Sequence, residues 1–213
     1  MLGKLRTLMG SGSVLGYFLQ ALPIACLAGL LCLTIRVFVL KKRKAPFTWP
    51  TELLRAIFVC YLTGLFSLVI LPANFWLFVY DGIFLGWWNE LGNVFQIGDV
   101  NFIPAVIKWL RGELTIGSWV KTMLIGNMVM FIPLGFFLPL ITKIRSCKTV
   151  IAASALLPLC CETAQLIFGR SFDIDDLIGN FIGIIVGAVI SFGMLKIRSS
   201  RSRTKRASHE NSV

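Results

Sequence analysis

The hydrophobic positions of this chain follow neither the two-residue beat of a half-buried strand nor the one-sided stripe of a surface helix. They form long, nearly unbroken apolar runs separated by short polar connections. Five runs stand out, over residues 14–40, 53–71, 118–141, 150–168 and 174–195. Each has about the ~20 residues that a helix needs to cross a ~30 Å hydrocarbon layer. Helices are expected rather than strands, because a helix satisfies its backbone N–H and C=O groups internally and lipid offers them no partner. The pattern therefore predicts an all-α integral membrane protein with five transmembrane helices.

The connection over residues 72–117 is long and contains NFWLFVYDGIFLGWWNELGNVF. Gly82, Gly86 and Gly92, with Asp81, Asn89 and Glu90, interrupt it too often for a sixth crossing. Its tryptophans and tyrosine suit the headgroup layer, where an apolar ring and a polar tip both find partners. One or two short interfacial or re-entrant helices are expected here, between the second and third spans. VNFIPAVIKWL then turns at Pro104 into a short amphipathic helix that offers Lys108 and Arg111 to lipid phosphates.

Composition agrees with a lipid solvent: 56% of residues are hydrophobic, 15% are charged and the mean hydropathy is +0.81. The formal charge of +11 raises the question of nucleic acid. The basic residues, however, sit in short clusters between apolar runs and carry no binding fold. They read as topology signals instead. Arg36, Lys41, Lys42, Arg43, Lys44 and Arg55 flank the first connection. Lys143, Arg145 and Lys148 mark the third, and Lys196, Arg198, Arg201, Arg203, Lys205 and Arg206 lead into the tail. The opposite side holds only Lys4, Arg6, Lys108, Arg111, Lys121 and Arg170. This alternation predicts an external N-terminus and a cytoplasmic C-terminus.

Lys4 and Arg6 ahead of an apolar stretch resemble a secretory signal, with PIAC as a loose cleavage site. The run nevertheless continues to Leu40 and ends in KKRK, a cytoplasmic stop, and an uncleaved first helix is expected. Residues 1–198 are expected to form a single transmembrane domain, followed by a basic, disordered cytoplasmic tail over 199–213. His209, the only histidine, lies in that tail. The six cysteines have no metal-ligand spacing and read as small apolar residues. No metal and no cofactor is expected.

One stretch breaks the apolar pattern. ETAQLIFGRSFDIDDLIGN, residues 162–180, holds four of the ten acids in the chain. Glu162 and Gln165 share a face near the end of the fourth helix. Gly169 ends that helix, Arg170 to Asp173 form a tight turn, and Asp173 can cap the fifth helix. Asp175 reads as solvent-facing. Asp173, Asp176, Asn180, Gly183 and Gly187 follow a three-four spacing along one stripe. Gly179, Gly183 and Gly187 form a G-x-x-x-G-x-x-x-G run that admits another helix at close range. That helix belongs to the same chain or, in a homodimer, to a second copy. On the third helix, Asn127 precedes Pro133, Gly135 and Pro139, where proline kinks either make room for a pocket or serve packing alone.

Asn127, Glu162, Gln165, Arg170, Asp173, Asp176 and Asn180 are thus candidates to converge near the outer leaflet. Polar and charged groups inside a span are costly unless paired or hydrated, which makes them default functional residues. The bland alternative pairs Arg170 with Asp173 or Asp176 to lock the turn, and leaves Glu162 protonated or bonded to Asn180.

These same blocks carry a family resemblance. NFIP at 101–104, GNMVMFIPLGFFLP at 126–139 and ETAQLIFGRSFDIDDLIGNFIGIIVG at 162–187 resemble the VanZ-like membrane proteins. The family pattern falls on Asn127, Phe131, Pro133 and Gly135, then on Glu162 and Gln165, then on Arg170, Asp173, Asp176, Asn180 and Gly183. The resemblance covers roughly residues 73–195 and leaves the first helix and the tail outside. It implies a bacterial plasma-membrane protein and, at family level, resistance to teicoplanin, a glycopeptide that binds cell-wall precursors.

Three classes of function fit. The first alters, shields or binds an envelope component, with Arg170 on a phosphate and the Asn and Gln side chains on sugar or peptide groups. A lipid-linked cell-wall precursor is one such partner, beside the membrane lipids themselves. The second is an intramembrane enzyme with Glu162 and Asp176 as general acid and base. It is disfavoured because no nucleophile with a partnered base is evident. The third is an ion-coupled transporter using Glu162, for which five helices without an internal repeat are few.

Overall fold

The computed structural model describes residues 2–113, 117–142 and 146–210. Lys143 and Arg145 of the third connection lie outside the described residues, as do the side chains of residues 198–210, His209 among them. Eight α-helices are described: α1 Leu2–Met9, α2 Val14–Lys42, α3 Trp49–Val69, α4 Phe75–Leu85, α5 Ala105–Leu110, α6 Ser118–Ile141, α7 Cys147–Ile167 and α8 Ile174–Glu210. A 3-10 turn spans Trp88–Leu91, and two short strands, β1 Val100–Asn101 and β2 Phe172–Asp173, pair with each other.

Five helices are long and apolar enough to cross a membrane: Val14–Lys42, Trp49–Val69, Leu124–Ile141, Cys147–Ile167 and Ile174–Ile197. They coincide with the five expected runs. The start of α3 lies ahead of its apolar run, because Pro50 occupies the first turn, where its missing N–H breaks no helical bond. At its other end α8 continues past its apolar run to Glu210. The aromatic connection holds α4 and the 3-10 turn, and Pro104 opens α5. α1 is an addition: its eight residues, with Lys4 and Arg6 among them, contain no run that hydropathy could detect.

The chain divides into two compact units. The first holds Met1–Asn101 and Cys161–Phe172, the second Phe102–Cys160 and Asp173–Val213.

In the first unit α2 packs along α3. Ala21, Ala25 and Gly29 recur every fourth residue on α2 and are buried, while the large side chains Leu27, Leu30 and Phe38 face outward. Lipid is as apolar as leucine, so helices gain by close van der Waals contact of small residues rather than by hiding large ones. A β-carbon at Gly29 would collide with the Cys60 thiol on α3. The end of this pair is closed by α1 and α4 around buried Gln20. Its Nε2 donates to Met9 O at 2.8 Å and to Asn74 Oδ1 at 2.9 Å. Its Oε1 accepts from Leu77 N at 3.4 Å, and its own carbonyl accepts from the Tyr80 hydroxyl at 2.9 Å. Asn74 stands at φ 61°, a left-handed conformation that asparagine tolerates better than most residues.

In the second unit α6 and α8 form the main interface, with Phe131 and Ile184 fully buried in it. Glycines carry the contact. A β-carbon at Gly183 would collide with the Met128 carbonyl, one at Gly187 with the Ile132 carbonyl, and one at Gly135 on α6 with the Ile184 carbonyl. The glycine stripe of α8 is thus filled by α6 of the same chain.

Candidate functional site

The second unit assembles a polar group at the N-terminal end of α8. Asp173 Oδ1 accepts the N–H of Asp175 at 2.9 Å, capping the helix. Asp176 and Asn180 follow one turn apart on one face. Because the bare glycine backbones draw α6 and α8 together, Asn127 on α6 reaches across and its Nδ2 donates to Asp176 Oδ1. Asn180 is 1% exposed, and its Oδ1 has no hydrogen-bond partner among the described residues. A buried amide oxygen normally has a partner, since leaving it bare costs about 1–3 kcal/mol. This acceptor beside an Asn–Asp pair is suited to a hydroxyl, amide or ammonium donor.

Asp175 corrects the sequence reading. It does not face solvent: half-buried, it accepts the N–H of Ala105 through Oδ2 at 2.7 Å. It thereby satisfies the first donor of α5, which Pro104 leaves without a capping side chain.

The first unit contains Glu162, Gln165 and Arg170. Glu162 and Gln165 are both buried at the end of α7. The Gln165 carbonyl takes the N–H groups of Phe168 and Arg170, at 2.9 and 3.1 Å, and closes the helix around Gly169, whose φ is 74°. Arg170 then points its Nη1 at two carbonyls, Leu68 O at 2.9 Å and Leu71 O at 3.2 Å. The helical donor for Leu68 O would be the N–H of residue 72, which is Pro72 and has none. The guanidinium takes that donor's place and adds positive charge where a helix end favours it.

A strap holds this turn from the other side. Residues 96–101 run beside 166–172, with Gln96 N donating to Ile167 O at 3.1 Å, Gly98 N to Leu166 O at 2.9 Å and Phe172 N to Asp99 O at 2.8 Å. A β-carbon at Gly98 would collide with the Arg170 carbonyl. The rings of Phe95 and Phe168 meet at a tilt of 33°, with centroids 5.4 Å apart.

Of the candidate residues, the structure therefore gathers Asn127, Asp173, Asp176 and Asn180 in the second unit and Glu162, Gln165 and Arg170 in the first. Three polar constellations of the first unit escaped the sequence reading. Gln20 was hidden within an apolar run. Arg6 makes a bidentate pair with buried Asp81, both contacts at 2.9 Å, and lies 5.3 Å from the Trp87 ring centre. The Asp81 hydrogen bond, reinforced by its charge, holds the Arg6 guanidinium above its ordinary pKa. Glu52, also buried, takes Arg36 through two bonds of 2.7 and 2.9 Å and Arg55 through a third. The spacing of Glu52 and Arg55 on one helix face was the available signal. Among the described residues no cluster of three or more His, Cys, Asp or Glu side chains could hold a metal ion.

Five helices long and apolar enough to cross a membrane, with large apolar side chains on their outward faces, define a multi-pass α-helical membrane protein. The family model for VanZ/LLP1 matches residues 58–196, and the chain belongs to that family. The match begins within α3 and ends at the close of the apolar part of α8, so it extends somewhat beyond the blocks that carry the resemblance. No curated protein and no solved structure matches the chain.

Proposed function

We propose that this protein acts at the outer face of a bacterial plasma membrane on a component of the cell envelope, altering or shielding it so that a glycopeptide such as teicoplanin has less access to its target. The orientation follows from the basic residues, which favour a cytoplasmic first connection and tail. The N-terminal end of α8 then lies at the outer surface. The observation that carries the reading is the Asn127–Asp176 pair beside the buried, unsatisfied oxygen of Asn180. Lipid-linked wall precursors present hydroxyl and amide donors at this depth. An acceptor-rich group between two closely packed helices suits them better than it suits a purely apolar ligand.

The test is susceptibility of a sensitive Gram-positive host to teicoplanin and vancomycin. The host expresses the wild type, Asp176→Asn or Asn180→Leu, with the abundance of each in the membrane measured. Raised teicoplanin tolerance with wild type, lost in equally abundant variants, supports the reading. Unchanged tolerance to both drugs with wild type removes it for this member of the family. Equal protection by the variants moves the function away from this group.

A further inference from the structure

A simple clamp between α2 and α3 needs one carboxylate and one arginine. Here Glu52, 3% exposed at its side chain, holds two arginines whose side chains stay 33% and 38% exposed. Both carboxylate oxygens are occupied, Oε2 by Arg36 and Oε1 by both arginines. Each guanidinium carries five N–H donors, and among the described residues Glu52 takes Nε and Nη2 of Arg36 and Nη1 of Arg55. Most donors of the two forks are left over, and the trio keeps a net positive charge.

Its surroundings say what would use it. Ile35, Phe38, Leu53 and Ile57, on the same turns of α2 and α3 as the trio, are exposed, as expected of side chains lying against acyl chains. Trp49, one turn earlier on α3, is exposed and set edge-on against Phe47 at 4.9 Å, the placement of an interfacial anchor. Planar guanidinium forks match phosphate oxygens in pairs. We propose that Arg36 and Arg55, fixed by Glu52, form a site for the headgroup phosphate of an anionic phospholipid whose acyl chains lie along Phe38 and Leu53. The site lies in residues 36–55, ahead of the family match at 58–196, and is independent of the envelope reading above.

Two features separate this site from general attraction of basic residues to an anionic surface. The guanidiniums are held by a buried carboxylate, whereas Lys41, Lys42, Arg43 and Lys44 are exposed. The apolar neighbours favour a lipid over free phosphate. The experiment follows the purified full chain by native mass spectrometry with equimolar phosphatidylglycerol and phosphatidylcholine of the same acyl chains.

Wild type is expected to retain phosphatidylglycerol preferentially. Arg55→Gln should cut that preference about fivefold, the effect of one basic residue at an anionic surface. Replacing all four of Lys41, Lys42, Arg43 and Lys44 by glutamine should leave most of it. Excess inorganic phosphate should not displace the lipid. Equal retention of the two lipids by wild type overturns the proposal without recourse to any variant. So does a preference that survives Arg55→Gln but disappears with the fourfold change, which would mark a diffuse electrostatic effect. Displacement by inorganic phosphate would assign the forks to a soluble anion and sink the lipid site.

Discussion

The side-chain amide of Asn127 on α6 donates to the carboxylate of Asp176 on α8, across the most extensive helix contact in the second unit. The bond joins two of the three sequence blocks that carry the family pattern, and it depends on glycines elsewhere in the same interface. A double-mutant cycle tests whether it is a working link. Asp176→Ala leaves a half-buried amide without this acceptor and should cost about 1–3 kcal/mol. Asn127→Ala should cost a comparable amount, and the double variant clearly less than the sum. Unfolding by steric trapping in bilayers gives the three values; strict additivity would show that the two side chains do not act on each other.

Gly179 and Gly187 belong to one glycine run but are predicted to respond differently to the same substitution. At Gly187 a β-carbon meets the Ile132 carbonyl of α6, whereas at Gly179 the nearest atom, Leu124 O, would lie 3.5 Å away in ordinary contact. Gly187→Ala should therefore lower stability by about 1–3 kcal/mol through overpacking. Gly179→Ala should fall within about 1 kcal/mol of wild type, since alanine favours helix over glycine by roughly that amount. Thermal unfolding of the two purified variants in one detergent decides the matter. Equal losses would mean that the interface is looser than described.

Arg170→Ala removes the donor that stands in for the missing N–H of Pro72. Hydrogen bonds to a charged group are worth about 1.5–3 kcal/mol, and a loss in that range is expected. A more specific outcome distinguishes this role from a general loss of charge. Combining Arg170→Ala with Pro72→Ala, which restores a backbone N–H at the end of α3, should recover part of the stability. No recovery in the double variant would rule out the substitution of guanidinium for backbone donor.

Gly98 has no room for a side chain against the Arg170 carbonyl. Gly98→Ala should detach the strap without unfolding the spanning helices. Limited proteolysis reads this directly, with cleavage within 92–101 rising several-fold while the helical circular dichroism is kept. Protection equal to wild type would show that the strap adjusts at no cost.

Much of this architecture was legible in the chain because lipid leaves little choice. A helix that must bury its backbone in hydrocarbon announces itself by length and continuous hydrophobicity, and the five long helices fall on the five apolar runs. The four-residue spacing of Asp176 and Asn180 likewise placed them on one face. What stayed hidden depended on partners remote in sequence. Arg170 reaches Leu68 O, a carbonyl for which Pro72 has no N–H to offer, and Leu71 O beside it, whereas the aspartates are its neighbours in the local sequence. Asp175 read as solvent-facing because its partner, the first N–H of α5, lies 70 residues away. Read as topology markers, Arg36 and Arg55 give no sign of their shared carboxylate. α1 was too short and too charged for any hydropathy pattern to reveal.

The Arg170 contact also sets an order in time. Its guanidinium lies 102 residues beyond Leu68 in the chain. At a synthesis rate of ~5–20 residues per second, roughly 5–20 s separate the making of the acceptor from the making of its donor. Throughout that interval the last turn of α3 has a carbonyl that its own helix cannot serve, and water or headgroups must meet it. The carbonyls of Leu68 and Leu71 thus gain their guanidinium donor only when the turn between α7 and α8 has been made, and a nascent chain stalled before Arg170 lacks it.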